Sequence, residues 1–145
     1  VQMGARAALG GHPLERRGYF YAPTVLLGVT PEMPAFREET FGPVAAVVRV
    51  RDADEAVAAA NASQYGLGAS VWTRDLRRAR VLAREVEAGN VFINGVVASD
   101  PRLPFGGVKR SGYGRELSEF GIREFVNVKT VWVGPPVGPQ LPPTE

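Results

Sequence analysis

Between residues 44 and 93 the apolar residues switch repeatedly between a continuous run and a helical spacing, and that alternation limits the fold more than any other feature. Val44-Ala45-Ala46-Val47-Val48 is a near-continuous apolar run, the pattern of a buried strand covered on both faces. Asp52 stands three residues before Glu55, a capping-box spacing, so the alanine-rich stretch 53–63 reads as a helix that ends at Tyr65-Gly66. Leu67 to Trp72 is the next strand. Thr73 or Asp75 can open a second helix, because Leu76, Ala79, Leu82, Ala83 and Val86 recur at spacings of three and four, and Gly89 is placed to end it. Val91-Phe92-Ile93 follows as a third strand. Strand, helix, strand, helix, strand in that order implies a right-handed α/β unit on a largely parallel sheet.

The flanks are less regular. Residues 5–9 and 23–29 are short apolar runs separated by Gly10-Gly11-His12-Pro13, and they read as two extended segments joined by a polar loop. Pro31 to Pro34 is a turn region. Gly95 to Gly114 holds five glycines and two prolines in twenty positions, too irregular for one element and long enough to carry function. Glu116 to Gly121 can form a short helix, and residues 125–133 alternate well enough for a half-buried strand. From Gly134 onward five prolines fall in twelve residues, which is expected to be extended or disordered. The sequence has no internal repeat.

Composition narrows the function. A chain of 145 residues with 45% hydrophobic and 22% charged residues has the size and make-up of one ordinary globular domain. The formal charge is +2, and the arginines are interleaved with acids rather than gathered into a block, which argues against a nucleic-acid partner. No run approaches the ~18 apolar residues of a membrane span, and Val1-Gln2-Met3-Gly4-Ala5-Arg6 has no signal-like core, so a cytoplasmic protein is expected. The sequence contains no cysteine and a single histidine, His12, so disulfides and thiolate metal sites are excluded and no metal is expected.

Two segments invite a chemical reading. Glu39, just ahead of the Phe41-Gly42-Pro43 turn, could place a carboxylate in a cleft and accept hydrogen bonds from ribose hydroxyls. Read by itself it is more often a solvated loop acid beside Glu38, since exposed glutamates are the rule. Phe41 could pack on a flat cofactor group or simply join the core. The glycine-rich loop from Gly106 to Gly114 is not a P-loop, because Lys109 precedes Arg110 and Ser111 instead of following a glycine, and a third glycine at dinucleotide spacing is missing. Its glycines permit close backbone approach, so it should fold tightly against something buried. Arg77, Arg78 and Arg80 read as a solvated helix face partnered by Asp75, Glu85 and Glu87.

Glu39-Thr40-Phe41-Gly42-Pro43, Asn94 closing a strand, and Pro104-Phe105-Gly106-Gly107 with Lys109, Ser111-Gly112 and Gly114-Arg115-Glu116 together resemble the aldehyde dehydrogenase superfamily over residues 5–133. Within it, Phe36-Arg37-Glu38-Glu39, the segment from Ala98 to Arg102, and Glu116 to Gly121 running into Val131-Trp132 are most similar to bacterial succinate-semialdehyde dehydrogenases. The resemblance implies that residues 1–123 are the C-terminal portion of a catalytic domain, 124–133 an oligomerisation strand and 134–145 a proline-rich tail. It implies an aldehyde substrate and NAD or NADP in the full-length family, where a cysteine thiolate attacks the aldehyde and a glutamate activates water. Glu39 would hold the nicotinamide-side ribose and Phe41 would flank the ring. Phe105 would line the aldehyde channel, and Ser99 and Arg102 would meet the distal carboxylate of a semialdehyde.

The departures from that family are large. Its nucleophile, general base, oxyanion-hole asparagine and dinucleotide-binding domain all precede the Glu39 motif by more residues than stand there in this sequence. No catalytic residue can therefore be assigned, and this chain alone is expected to be inactive and to bind no NAD, because the pyrophosphate site is missing. The mid-pattern start at Val1 favours a truncated dehydrogenase, expected to associate with itself or with the missing N-terminal part. A non-catalytic oligomerisation or binding module on the same fold is the other reading.

Overall fold

Residues 1–135 and 138 are described by a computed structural model. Two short extended segments open the chain, β1 (Arg6–Leu9) and β2 (Thr24–Leu27), and they pair antiparallel with a register shift between Ala7 and Leu9. The turn region after them contains one helical turn, α1 (Pro34–Arg37), started by proline at its first position. β3 (Val44–Val47) then pairs parallel with β2, Thr24 against Val44 through Leu27 against Val47. A small core closes here, with Ala5, Val29 and Met33 buried and Leu26, Phe36 and Val48 packed against them.

The two predicted helices form where their caps place them. α2 (Ala53–Asn61) begins at Asp52, whose Oδ1 accepts from the Glu55 N–H at 2.9 Å. α3 (Leu76–Glu85) begins at Asp75, whose Oδ1 accepts from the Arg77 and Arg78 N–H groups, each at 3.0 Å. Such caps each stabilise a helix by about 1 kcal/mol. Around them lie β4 (Tyr65–Gly66), β5 (Gly68–Val71) and β6 (Asn90–Ile93), followed by β7 (Val108–Lys109) and α4 (Ser118–Arg123). β5, α3 and β6 form a parallel strand–helix–strand unit in which Gly68 faces Asn90 and Val71 faces Ile93. β4 pairs antiparallel with β7, so part of the glycine-rich loop is a strand.

Several expectations need correction. The strands do not share one parallel sheet: β1-β2-β3, β4-β7 and β5-β6 are three separate sheets. β3 has its ladder with β2, so the α/β unit contracts to β5-α3-β6. Val44–Val47 is a strand, but the run is not buried, since Ala45, Ala46 and Val47 are exposed and Val44 and Val48 half-buried. Gly89 does not end α3, which stops at Glu85 with Val86 already extended. α4 starts two residues later than read from the sequence. Residues 125–133, read as a half-buried strand, form none, because a strand needs a ladder partner and no described segment pairs with them. The proline-rich tail falls mostly outside the described residues.

The result is a fold with little interior. Ala5, Ala22, Val29, Met33 and Ala79 are the hydrophobic residues that reach full burial among those described. The chain's accessible surface is 12099 Å², where a compact 15.6 kDa monomer exposes about 7,250 Å². Phe125, Val128, Trp132 and Val133 are each more than four-fifths exposed. No described helix is long and apolar enough to cross a membrane.

Candidate functional site

The loop ahead of β3 carries Glu39 to a recess of about 360 Å³, shared with Tyr65, Leu67, Gly68, Glu87 and Ser111. These residues are far apart in sequence; Glu39 is exposed, and hydrogen bonds hold together the other segments, around 61–66, 85–87 and 109–111. The Asn61 side chain at the end of α2 donates to the Glu85 carbonyl at 2.8 Å and accepts from the Glu87 N–H at 2.8 Å. Lys109 Nζ donates to the carbonyls of Asn61 at 2.8 Å and Ser63 at 3.1 Å, and pairs with Glu87 Oε2 at 2.6 Å. Ser111 Oγ accepts from the Gly66 N–H at 3.0 Å, and Arg110 meets Gln64 through both backbone and side chain. Lys109 adopts φ 55°, a left-handed conformation that costs a side-chain-bearing residue roughly 1–2 kcal/mol, and these contacts hold it there.

The recess opens at the amino ends of β3, β5 and β6, as the positions of Glu39, Tyr65 to Ala69 and Val86 to Ala88 require. Ligands of open doubly wound sheets sit at the carboxyl ends instead, so this is not a mononucleotide-type phosphate site. What the recess offers is two carboxylates, Glu39 and the Glu87 that Lys109 pairs, a pair of backbone approaches at Gly66 and Gly68, and an apolar wall from Leu67. That set can accept hydrogen bonds from a hydroxyl-bearing ligand, and its volume lies at the low end of the ~300–1,000 Å³ typical of ligand pockets.

A second recess, of about 400 Å³, lies along β6 and is closed by Ala98, Asp100, Leu103 and Phe105. The loop that supplies them is tied down at both ends. Phe105 and Glu116 exchange backbone hydrogen bonds at 2.8 Å, and the Ser118 N–H reaches the Pro101 carbonyl at 3.0 Å. Arg115 Nη1 donates to the carbonyls of Gly107 at 2.9 Å and Gly114 at 2.6 Å. Arg102 grips Asp100 through Nε to Oδ1 at 2.9 Å and Nη2 to Oδ2 at 2.6 Å. Hydrogen bonds from the Arg102 side chain, then from its backbone N–H, hold the Asp100 carboxyl below the usual aspartate range, and Asp100 in turn raises Arg102.

The predicted residues separate accordingly. Glu39 lines the first recess and Phe105, half-buried, lines the second. Phe41 is 94% exposed and contributes to neither. Ser99 is exposed on the loop, and Arg102 is exposed with its fork already occupied by Asp100. Leu67, Glu87 and Ser111 were not legible from spacing. The Gly66-Leu67-Gly68 triplet was the available signal for the first of them, since an apolar residue between two glycines marks close backbone approach.

Parallel strand pairing around a crossing helix, with site residues on the connecting loops, places the chain among the α/β proteins. The chain belongs to the aldehyde dehydrogenase family, which it matches over residues 1–131. It is 57% identical over 132 residues to Sad, a succinate semialdehyde dehydrogenase of Escherichia coli (strain K12) named for NAD(P)+; the match covers 91% of this chain and 29% of that protein. A succinate-semialdehyde dehydrogenase of Mycobacterium ulcerans (strain Agy99) named for NADP(+) is 55% identical over 131 residues, 90% of this chain and 29% of its own length. Among solved structures, an NAD-dependent aldehyde dehydrogenase from Sinorhizobium meliloti superposes with TM-score 0.89 at 46% identity, over 97% of this chain and 28% of that one. Succinic semialdehyde dehydrogenase from Streptococcus pyogenes, in complex with NADP+, gives TM-score 0.86 at 41% identity, over 91% and 29%. The chain thus spans under a third of the relatives it matches.

Proposed function

We propose that this chain is the C-terminal portion of a dehydrogenase catalytic domain that oxidises an aldehyde, succinate semialdehyde in the first instance, to its carboxylic acid with NAD or NADP. The observation that carries the reading is the recess that Glu39 and Leu67 both line, with its far wall pinned by Lys109 and Ser111. The similarity to succinate-semialdehyde dehydrogenases supports the substrate class.

In this reading the Glu39 carboxylate accepts hydrogen bonds from the nicotinamide-side ribose and fixes its orientation, while Phe41 flanks the ring. Bound nicotinamide supplies the hydride acceptor. Phe105 lines the aldehyde passage, and Ser99 and Arg102 meet the distal carboxylate, a role for which a guanidinium fork is suited. The nucleophile and the water-activating base come from outside these 145 residues, since a cysteine-free chain cannot supply the thiolate. Alone, the chain is inactive and binds no cofactor. Its uncovered apolar surface supports a covering partner, either the remaining portion of the dehydrogenase or another copy of itself. A cytoplasmic location goes with this reading.

The exposed apolar residues between Phe120 and Val133 favour one other reading, a non-catalytic oligomerisation or binding module on the same fold. A chimera separates the two: residues 1–133 replace the stretch of the E. coli enzyme Sad that they match, 29% of that enzyme, and formation of reduced cofactor from succinate semialdehyde is followed. The dehydrogenase reading expects turnover by the chimera and none by this chain or by the truncated Sad alone. A folded, oligomeric chimera without turnover would leave only the module.

A further inference from the structure

The two recesses are joined by one side chain. Asn90, the first residue of β6, donates from its amide nitrogen to the Leu67 carbonyl at 2.9 Å and to the Gly106 carbonyl at 2.9 Å. Leu67 belongs to the recess that holds Glu39. Gly106 directly follows Phe105, and Asn90 itself lines the recess that holds Phe105. Both partners are carbonyl oxygens, so the bridge needs a group with two N–H donors, and the asparagine amide supplies both from one atom.

The surrounding backbone makes this amide a spacer. The Gly89 N–H donates to the Gly66 carbonyl at 2.9 Å, and a Cβ at Gly89 would run into the Gly106 carbonyl oxygen. At Gly89 the chain therefore lies backbone to backbone against both Gly66 and Gly106, and the Asn90 side chain bridges what remains between 67 and 106. The gap from Leu67 to Phe105 follows from the backbone contact and the Asn90 amide together.

We infer that Asn90 is a positioning residue that fixes the cofactor-side wall at Leu67 relative to the substrate-side wall at Phe105. The inference rests on the reading of the two recesses as parts of one dehydrogenase site. Asn90→Asp keeps the shape, removes both donors and sets a carboxylate oxygen against two carbonyls. Asn90→Ser is too short to reach both.

The test uses the Sad chimera, with NADP+ affinity measured by calorimetry and kcat and KM measured with succinate semialdehyde. Asn90→Asp should raise the NADP+ Kd and the aldehyde KM together, each roughly tenfold, as expected for a lost pair of hydrogen bonds, while kcat changes less. Asn90→Ser should shift both in the same direction and decides the matter if Asn90→Asp does not fold. A purely structural role would lower the melting temperature and leave both constants of the folded enzyme at the parental values, and that result overturns the inference. If the parent chimera itself has no turnover, the dehydrogenase reading fails first and the inference falls with it.

Discussion

Arg102 holds both carboxylate oxygens of Asp100, so the one guanidinium on the loop beside Phe105 is already engaged. Asp100 is held below its usual pKa, and the sign follows: the pair is intact above the ordinary aspartate range and is lost as pH falls through the lowered value. At neutral pH an incoming carboxylate must therefore compete with Asp100. Asp100→Asn in the chimera should lower KM for succinate semialdehyde by roughly three- to tenfold, through release of a bidentate donor, and leave KM for neutral butanal unchanged. Steady-state kinetics with the two aldehydes check this, and an equal change in both would remove Arg102 from substrate recognition.

Lys109 contributes through carbonyls more than through charge. Its ion-pair partner Glu87 is 58% exposed at the side chain, and exposed pairs are worth about 0–1 kcal/mol. Its bonds to the Asn61 and Ser63 carbonyls tie the glycine-rich loop to the end of α2, and charge-assisted bonds contribute about 1.5–3 kcal/mol. Urea denaturation of the chimera should show a loss of that size for Lys109→Met and a loss below about 1 kcal/mol for Glu87→Gln.

Gly89→Ala should be among the most damaging small substitutions in the chain. The added methyl meets the Gly106 carbonyl, which is backbone and cannot swing aside. Overpacking of this kind costs about 1–3 kcal/mol, and here it also pushes apart the segments that Asn90 joins. A denaturation midpoint unchanged from the parent would contradict the backbone contact.

The isolated chain should bind hydrophobic dyes and sediment as concentration-dependent assemblies, because Phe125, Val128, Trp132 and Val133 stand almost fully in water. Sedimentation velocity checks this; a dye-silent monomer over a wide concentration range would mean that these residues find cover within the chain.

Local chemistry was legible in the sequence, and long-range coverage was not. Asp52 announced one helix start and Thr73 or Asp75 the other, of which Asp75 is the cap, and the α3 spacing announced the face that buries Ala79. The apolar run at Val44 also announced a strand, but burial depends on what lies over it, which no run of residues encodes. Residues 125–133 failed for a related reason: alternation marks a segment able to join a sheet, and a ladder needs a second strand beside it. At the site, Glu39 and Phe105 stood out through the resemblance. Asn90 did not, since its importance comes from two carbonyls 23 and 16 residues away.

In the proposed function Glu39 marks the ribose half of a nicotinamide dinucleotide site, and the calorimetric affinity of the chimera for NADP+ with and without Glu39→Gln tests that role. Loss of a charge-assisted acceptor should weaken NADP+ binding roughly tenfold or more, with the aldehyde KM little changed. Unchanged NADP+ affinity in a folded Glu39→Gln chimera would contradict the assignment of the recess.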